Sequence, residues 1–494
     1  MKKRIRILVA VAATVLLMSG VLIYFALNPK KDSDTLADQS YADEGILLWE
    51  YTEEQFEKIH VENAGDSFDI VPSTDGEFEI RELEQIPRNS LSYHSVSSLE
   101  YFEASGLVDE NPENLSIFGL DNPTATLEIS FSDGTSKTLL VGAPAPSIAT
   151  VYIKLLDSPE VYIADEAYII LATKTKKDFI SLNVTGVSDD PANIDVKKIV
   201  YSGQNREEDI VVESSAEVNE TIGVSTGLVI TSPFVQDVHG DMVQTIDQGA
   251  VILKASGVEE IFPSEEFLEE CGFTNSPYTM YVEYVHMKTA QNENKILYEN
   301  GDYKILVGSS IENSDDYYVM REGIPVVYRV EAQNIPWISF TAAEISSNIQ
   351  FMSPIEEVAS VNVKTTEKEY EFQIQMQDFD DGRISDNDGI VTTENGKELD
   401  GEQFRNLYHL LMRGFGEQLL SDVPQNDVPL EVTYSFVDRL RENVIVQFVP
   451  VDEGTCAISV NGLELYTVRS SYVIAVMTAC ENIVNEKEVD PNWD

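Results

Sequence analysis

The sequence predicts an α+β protein, with an N-terminal transmembrane helix followed by tandem related units of antiparallel sheet plus helices. Three observations support this fold class. A 21-residue run without charge follows a basic N-terminus, three later segments open with similar pairs of alternating strands, and Asn-Pro, Asp-Gly and Asn-Gly turns separate apolar runs. Such short turns connect antiparallel strands, whereas parallel strands need long crossovers.

The composition already excludes several classes of protein. A chain of 494 residues with 43% hydrophobic residues can build several folded domains, which argues against disorder. The formal net charge of −53 argues against nucleic acid as a partner, because phosphate neutralisation needs a basic surface. The three cysteines, Cys271, Cys456 and Cys480, are too widely spaced for a disulfide framework or a zinc site.

The N-terminus predicts the location of the protein. Four of the first six residues are basic, and residues 7–27 carry no charge. At 1.5 Å per residue this run spans a bilayer of about 30 Å. Residues 1–27 are therefore predicted to be a cytoplasmic stub and signal anchor, and the alternative is a signal peptide that is cleaved. Residues 28–45 form a polar linker.

The positive-inside rule sets the orientation of this anchor. The basic end stays in the cytoplasm, so we expect a single-pass protein of the cell membrane whose C-terminal ectodomain lies outside. The membrane is its partner through residues 7–27. Beyond Lys31 the chain holds 27 basic and 86 acidic residues, so the ectodomain is more acidic than the whole chain.

The rest of the chain divides into three similar units, at 46–185, 186–350 and 351–494. Each unit opens with two alternating strands across a short polar turn, which is the signature of a hairpin. These strand pairs lie at 58–63 and 67–70, at 198–201 and 209–212, and at 361–364 and 370–374.

The first two units agree in further detail. Ala104-Ser105-Gly106 and Ala255-Ser256-Gly257 each end an apolar helical pattern. A Val-Tyr strand then begins 19 residues after a matched glycine in both units, at Val161 after Gly142 and at Val327 after Gly308. The third unit is more diverged.

Helices are predicted in the middle and at the end of each unit. In the third unit Phe404, Leu407, Leu410 and Leu411 fall on one face of a central amphipathic helix. The acidic stretch 400–403 before them suits the positive end of the helix dipole. Closing helices are predicted at about 164–175 and 471–485.

Several motifs of the first unit together resemble a known family. They are the element FGLDNP at 118–123, the hairpin SDGTSKTLLVG at 132–142 and the hairpin VYIKLLDSPEVYIAD at 151–165. Behind a signal anchor, this set is similar to the bacterial domain-of-unknown-function family 4340, over roughly residues 50–180. The resemblance implies a membrane-anchored extracytoplasmic protein without assigned activity, in a family often encoded beside ABC-type export systems, including those of gliding motility. It implies no catalytic residues. The second unit departs from the pattern in a longer hairpin at 286–300.

The sequence contains no convincing catalytic motif. Gly223–Gly227 matches G-x-S-x-G, but a strand pattern follows it where a nucleophile elbow needs a helix, which favours a turn. The five histidines form no metal-binding pair, and structural or surface roles are expected for His60, His94, His239, His286 and His409. We therefore predict no catalytic residues and no cofactor.

One acidic loop is a candidate metal site. Oxygen-rich loops suit Ca²⁺, and residues 378–389 contain five aspartates. Their order does not fit the EF-hand loop, so a solvated turn between two strands is favoured over calcium. The weak calcium candidates are Asp378, Asp380, Asp381, Asp386 and Asp388.

These observations favour a non-enzymatic protein. The main hypothesis is an accessory or binding subunit of an ABC-type transport or cell-envelope complex, with a permease or other envelope protein as partner. The alternative is an extracytoplasmic sensor of a ligand or polysaccharide. A hydrolase of envelope polymers would require acidic residues that cluster in a concave pocket.

Overall fold

The computed structural model describes residues 45–74, 76–187, 190–215, 226–289, 296–349, 351–376, 390–394, 396–421, 424 and 427–492. The predicted anchor at 7–27 and the linker up to residue 44 lie outside these residues. Across the described ranges, no helix is both long and apolar enough to cross a membrane. The fold is α+β, with antiparallel sheets and few helices, as the turn pattern predicted.

In the described residues of the first unit there are ten strands, of which eight form one sheet and two form a separate pair. They are β1 (Ile46–Glu50), β2 (Phe56–Asn63), β3 (Ser67–Pro72), β4 (Phe78–Ile80), β5 (Tyr101–Ala104), β6 (Gly106–Asp109), β7 (Ala125–Phe131), β8 (Ser136–Pro144), β9 (Thr150–Leu155) and β10 (Val161–Asp165).

The second sheet has nine strands in the part of the chain that the structure describes. They are β11 (Ile194–Ser202), β12 (Ile210–Ser214), β13 (Leu228–Ser232), β14 (Gln236–Asp237), β15 (Gly257–Ile261), β16 (Tyr278–Thr289), β17 (Ile296–Ser310), β18 (Asp316–Arg321) and β19 (Val326–Glu331).

The third sheet also has nine strands, counted over the described residues. They are β20 (Val358–Thr365), β21 (Glu369–Met376), β22 (Ile390–Glu394), β23 (Lys397–Glu398), β24 (Gln418–Leu419), β25 (Leu430–Phe436), β26 (Val444–Pro450), β27 (Thr455–Val460) and β28 (Leu463–Arg469).

Six α-helices and ten 3-10 helices join these strands in the described residues. The α-helices are α1 (Leu91–Ser97), α2 (Gly240–Val251), α3 (Glu265–Glu270), α4 (Ala342–Ile345), α5 (Gly401–Leu411) and α6 (Ser470–Val484). The 3-10 helices are Glu53–Gln55, Arg81–Leu83, Leu115–Phe118, Glu166–Thr173, Lys176–Phe179, Pro191–Asn193, Phe273–Asn275, Ala332–Asn334, Pro336–Ser339 and Ile355–Glu357.

The three sheets share one strand order, except that within the described residues the first has no counterpart of the outermost strands β14 and β23. The orders are β4-β3-β2-β7-β8-β9-β10-β6, β14-β13-β12-β11-β16-β17-β18-β19-β15 and β23-β22-β21-β20-β25-β26-β27-β28-β24. In each sheet the first strand of the opening hairpin lies inside the sheet, and the strands that follow it directly extend to one edge. Four later strands extend from it to the other edge. The strand after the central helix pairs with the last of these four. The repeated order supports the three-unit division, whose boundaries stay a prediction.

Alternation along the strands builds the core. In β7 the buried positions are every second residue, as they are in β25, because successive side chains of a strand point to opposite faces. On α5 the predicted stripe is buried, and Tyr408 joins it. One continuous apolar core links the first two sheets, and the third sheet has a core of its own.

Two helix predictions need correction. The predicted closing helix at 164–175 is a 3-10 helix that leaves helical geometry at Ile169 (φ −122°, ψ 36°), where two adjacent isoleucines disfavour an α-helix. The helical pattern before Ala104 ends at Ser97, and β5 follows it because this stretch pairs with β1. Such distant pairing overrides local periodicity. The other closing helix, at 471–485, is α6 as predicted.

A short segment at the end of the first unit pairs with both the first and the second unit. Ile180 forms an antiparallel bridge with Arg88, just before α1 of its own unit, and Asn183 forms one with Lys254, just after α2 of the next. Around the second bridge, backbone hydrogen bonds of 2.8 Å join Val184 N to Leu253 O and Ala255 N to Leu182 O.

The second unit joins the third in the same way. Ser346 bridges to Val238 before α2, and Ile349 bridges to Phe415 after α5. Tyr466 strengthens this joint, since its hydroxyl donates to the Ser346 carbonyl at 2.8 Å. The three-residue interval between the two bridges is the same in both joints.

In the first unit, β1 takes the place of such a segment. It pairs with β5, which occupies the position after α1, and Trp49 Nε1 donates to Leu99 O at 2.7 Å. In each unit, the stretch after the central helix therefore pairs with a segment that precedes that unit's opening hairpin in the chain.

Candidate functional site

The metal and catalytic candidates from the sequence do not come together in one site among the described residues. The weak calcium candidates Asp378, Asp380, Asp381, Asp386 and Asp388 lie outside the described residues, as do the first three residues of G-x-S-x-G. In the part of that motif that is described, Gly227 leads directly into β13. Among the described residues, no group of three or more His, Cys, Asp or Glu side chains could hold a metal ion.

The histidines lie apart from one another. His60 Nδ1 is 2.7 Å from Asp69 Oδ1 on the sheet surface, and His94 Nδ1 is 2.6 Å from the Ser90 carbonyl within its own helix. The ring of His239 accepts a hydrogen bond from the Asp241 N–H at the start of α2. These contacts are local ones that stabilise a strand pair or a helix end.

The three cysteines are free and buried. Burial raises the pKa of the Cys271 thiol to about 11, with a smaller contribution from nearby glutamates. Burial also raises the pKa of Cys456. A nucleophilic cysteine needs a lowered pKa, so neither thiol suits catalysis.

A cavity of about 290 Å³ lies beside Arg206 in the second unit. The guanidinium of Arg206 donates to the carbonyls of Phe340, at 2.7 Å, and Trp337. It also lies over the rings of Tyr201 and Tyr278, at 5.7 and 6.0 Å from their centroids. Its Nη1 and Nη2 groups bind backbone carbonyls, so Arg206 fixes a 3-10 helix to the sheet, while its buried Nε has no hydrogen-bond partner in the described part of the chain.

A larger cavity, of about 550 Å³, lies in the third unit between β23 and the chain after α6. We call it the β23 groove. Lys397 Nζ and Glu486 Oε1 form an ion pair of 2.9 Å between its two sides. Its lining consists of Lys397, Glu398, Leu399, Asp400, Gln403, Ile483, Glu486, Lys487 and Glu488.

The backbone of β23 presents unpaired groups to this groove. Leu399 N donates to Thr392 O of β22 at 2.9 Å, so Leu399 bonds toward the sheet. Because backbone groups alternate in direction along a strand, those of Glu398 and Asp400 point to the outer side. Within the described residues, the Glu398 carbonyl and the Asp400 N–H have no backbone partner.

In the first unit the segment before α1, which is not a strand of the sheet, is paired with the unit's own chain. Asn89 N donates to Phe179 O at 2.9 Å, and Ser181 N donates to Pro87 O at 2.8 Å. These two bonds flank the bridge between Arg88 and Ile180. The residues involved precede α1 directly, as Glu398 and Asp400 precede α5.

The second unit has the same pairing before its own central helix. His239 N donates to Ile345 O at 2.8 Å, and Ser347 N donates to Asp237 O at 2.7 Å. His239 is the N-cap of α2, as Asp400 is the N-cap of α5. Among the described residues, the segment before the central helix is therefore paired on its outer side in the first two units and unpaired there in the third.

The path of the chain after α6 explains the open edge. Glu486 adopts a left-handed conformation (φ 57°), and Lys487 N turns back to Asn482 O at 2.9 Å, which is a typical helix C-cap. The chain then binds α5 itself, where Val489 N donates to Gln403 Oε1 at 2.7 Å. It passes Asp400 without pairing with it.

The acidic side chains of the groove do not form a catalytic pair. Asp400 accepts from Glu402 N and Gln403 N at 2.9 and 3.0 Å, so it caps α5. A hydrogen bond from Lys397 lowers the pKa of Glu486, the opposite of what a general acid requires. This geometry does not favour the hydrolase hypothesis.

Sequence reasoning missed the β23 groove. Its only signal was the acidic stretch 400–403, which was interpreted correctly as a helix start. Recognition of the groove required a comparison of the same segment in three units, and the partners there lie 90–110 residues apart along the chain.

Comparison with protein families matches residues 94–274 to the family described as Domain of unknown function (DUF4340). The match supports that family for this part of the chain. It includes all three motifs of the resemblance, but it extends into the second unit, to the 3-10 helix Phe273–Asn275, where the resemblance was placed at roughly 50–180. No curated protein and no solved structure matches the chain.

Proposed function

We propose that this protein is a non-enzymatic, membrane-anchored extracytoplasmic protein that serves as an accessory or binding subunit of an ABC-type transport or cell-envelope complex. The observation that carries the binding role is the open outer edge of β23. A strand edge with unpaired N–H and C=O groups is a template for an added strand, and proteins usually cover or shorten such edges. Two units of this chain cover it.

The location rests on the N-terminal sequence. Residues 7–27 anchor the chain, and the basic N-terminus keeps that end in the cytoplasm. A reporter enzyme that is active only outside the cytoplasm, fused after Asp494, should be active, and the full chain should stay in membranes washed with carbonate. Release of the chain by the wash would contradict the anchor.

The partner class rests on the resemblance of the first unit and on the family match. An ABC-type permease with its ATPase is the expected partner. Affinity purification of the full chain from cross-linked native membranes should enrich both proteins over a mock purification. A set of co-purified proteins that is indistinguishable from the mock would contradict the accessory role.

A further inference from the structure

We infer that the β23 groove binds an extended peptide strand of a partner protein, one that carries basic side chains and pairs antiparallel with Glu398–Asp400. This inference rests on the proposed binding role and names the chemistry of its ligand. In the first two units, the chain itself occupies the position that we assign to the peptide in the third unit.

The two closed units define the backbone contacts of this strand. At each closed edge one N–H of the strand binds the carbonyl that precedes the bridge, and one carbonyl accepts the N–H that follows it. The third unit offers the same pair of groups, the Glu398 carbonyl and the Asp400 N–H. By analogy, the peptide residue before the one opposite Leu399 would accept from the Asp400 N–H, and the residue after it would donate to the Glu398 carbonyl.

The floor of the groove selects the central residue of the peptide. Leu399 and Ile483 line it, and both are largely buried. The residues at the equivalent bridge positions are Ile180 and Ser346, with 1% and 0% of their surface exposed. An apolar or small residue is therefore expected at the centre of the bound strand.

The charge of the rim selects the flanking residues. Glu398 and Glu488 are exposed and have no ion-pair partner in the described part of the chain, whereas Glu486 is paired with Lys397. Lys487 is the one other cation of the lining, so the groove is net negative. Basic side chains on the peptide complement it, and salt should weaken the contact because the rim is solvent-exposed.

The net charge also argues against a second copy of this chain as the occupant. Two chains of formal charge −53 repel each other, and an acidic segment would meet the acidic rim. A partner protein with a basic extended segment avoids both the repulsion between two acidic chains and the repulsion at the acidic rim.

The first unit supplies a probe for this inference. A labelled peptide of residues 176–185, KKDFISLNVT, contains the strand that closes the first unit and carries two lysines. We expect saturable binding to the full chain in detergent, measured by fluorescence anisotropy. The peptide of residues 341–350, TAAEISSNIQ, contains the strand of the second unit without a basic residue and should bind several-fold more weakly.

Two controls isolate the backbone contact. Methylation of the peptide nitrogen at Ser181 removes the N–H that donates to Pro87 in the first unit, and it should weaken binding at least tenfold. In the protein, Asp400→Pro removes the unpaired N–H at a residue whose φ of −67° suits proline, and Asp400→Ala is its matched control. Both variants lose the helix cap, so only their difference reports the N–H.

The outcomes separate the possibilities. At least tenfold weaker binding to Asp400→Pro than to Asp400→Ala supports the inference, and equal binding to both variants overturns it. Absence of saturable binding to the unsubstituted chain, or self-association of the chain that Asp400→Pro abolishes, also overturns it. If Asp400→Pro does not fold, the binding of the N-methylated peptide is compared with that of the unmodified peptide, and equal binding of the two overturns the inference. Failure of the peptide assay would leave the co-purification result unchanged, so the two proposals fail separately.

Discussion

The carbonyl oxygen of Cys271 lies so close to Gly308 that a Cβ atom on this glycine would come within 2.1 Å of it. The first unit contains the same contact, between Phe118 O and Gly142, where a Cβ would come within 2.2 Å. In both units the carbonyl belongs to the residue before a glycine with positive φ. The glycines matched in the sequence are therefore needed for one recurring approach of a turn to a strand.

Gly308→Ala and Gly142→Ala should each destabilise the protein by about 1–3 kcal/mol, because the new methyl group overlaps a backbone carbonyl and forces the turn to move. Unfolding in urea, followed by circular dichroism, measures this loss. A smaller effect of either substitution than of a surface change would contradict the shared contact.

Gly249→Ala is the matched control. This glycine lies inside α2, and a Cβ there would meet no atom within 4 Å. The substitution should stabilise the protein by about 0.5–1 kcal/mol, since alanine favours helix over glycine.

Thr185→Val should weaken the joint between the first two units. The buried Thr185 hydroxyl donates to Val251 O at 2.6 Å, and valine would leave this carbonyl unpaired. We expect a loss of about 1–3 kcal/mol in the free energy of unfolding. Thr478→Val, which removes an exposed hydroxyl bonded within α6, should change stability by less than about 0.5 kcal/mol. Equal effects of the two substitutions would argue against the joint.

Asp247→Asn should raise the melting temperature at neutral pH. Partial burial, and then the carboxylate of Asp195, raise the pKa of Asp247 above its ordinary 3.8. The charged form therefore destabilises the fold, and this cost disappears as the pH falls through the raised pKa. The difference between variant and parent should be greatest at pH 7 and vanish well below pH 3.8, as thermal melts over a pH series would measure.

Glu213→Gln should have the opposite effect. A hydrogen bond from Thr231 Oγ1, 2.6 Å long, lowers the pKa of Glu213 below its ordinary 4.5, and Lys198 contributes at 3.2 Å. The charged form is stabilised in the folded state, so the substitution should cost about 1 kcal/mol at neutral pH. This cost should shrink as the pH falls below 4.5. A cost that is independent of pH would contradict the assignment.

The three thiols should be unreactive in the native protein. Cys271, Cys456 and Cys480 are 2%, 3% and 0% exposed. A disulfide reagent at pH 8 should titrate no thiol before unfolding and three thiols in concentrated guanidinium. Rapid reaction of one thiol in the native protein would show an opening of the sheet around it.

Much of the local structure could be predicted from the sequence. The opening hairpins, the buried stripe of α5 and the helix α6 depend on side-chain periodicity and turn residues, which act over a few positions. The prediction was wrong where distant pairing prevailed, because β5 forms only when β1 lies beside it. At Glu166–Thr173 the predicted closing helix is present as a 3-10 helix that is interrupted at Ile169.

By itself, the sequence determined the antiparallel class, the recurrence of similar hairpins and the matched glycines, because alternation, turns and close approaches are encoded by nearby residues. Only the tertiary structure decided how one unit joins the next and which edge stays open. Those features depend on backbone pairing between segments such as Asp237–His239 and Ile345–Ser347, more than 100 residues apart. Backbone N–H and C=O groups are nearly the same in every residue, so side-chain identity does not reveal which of them will meet.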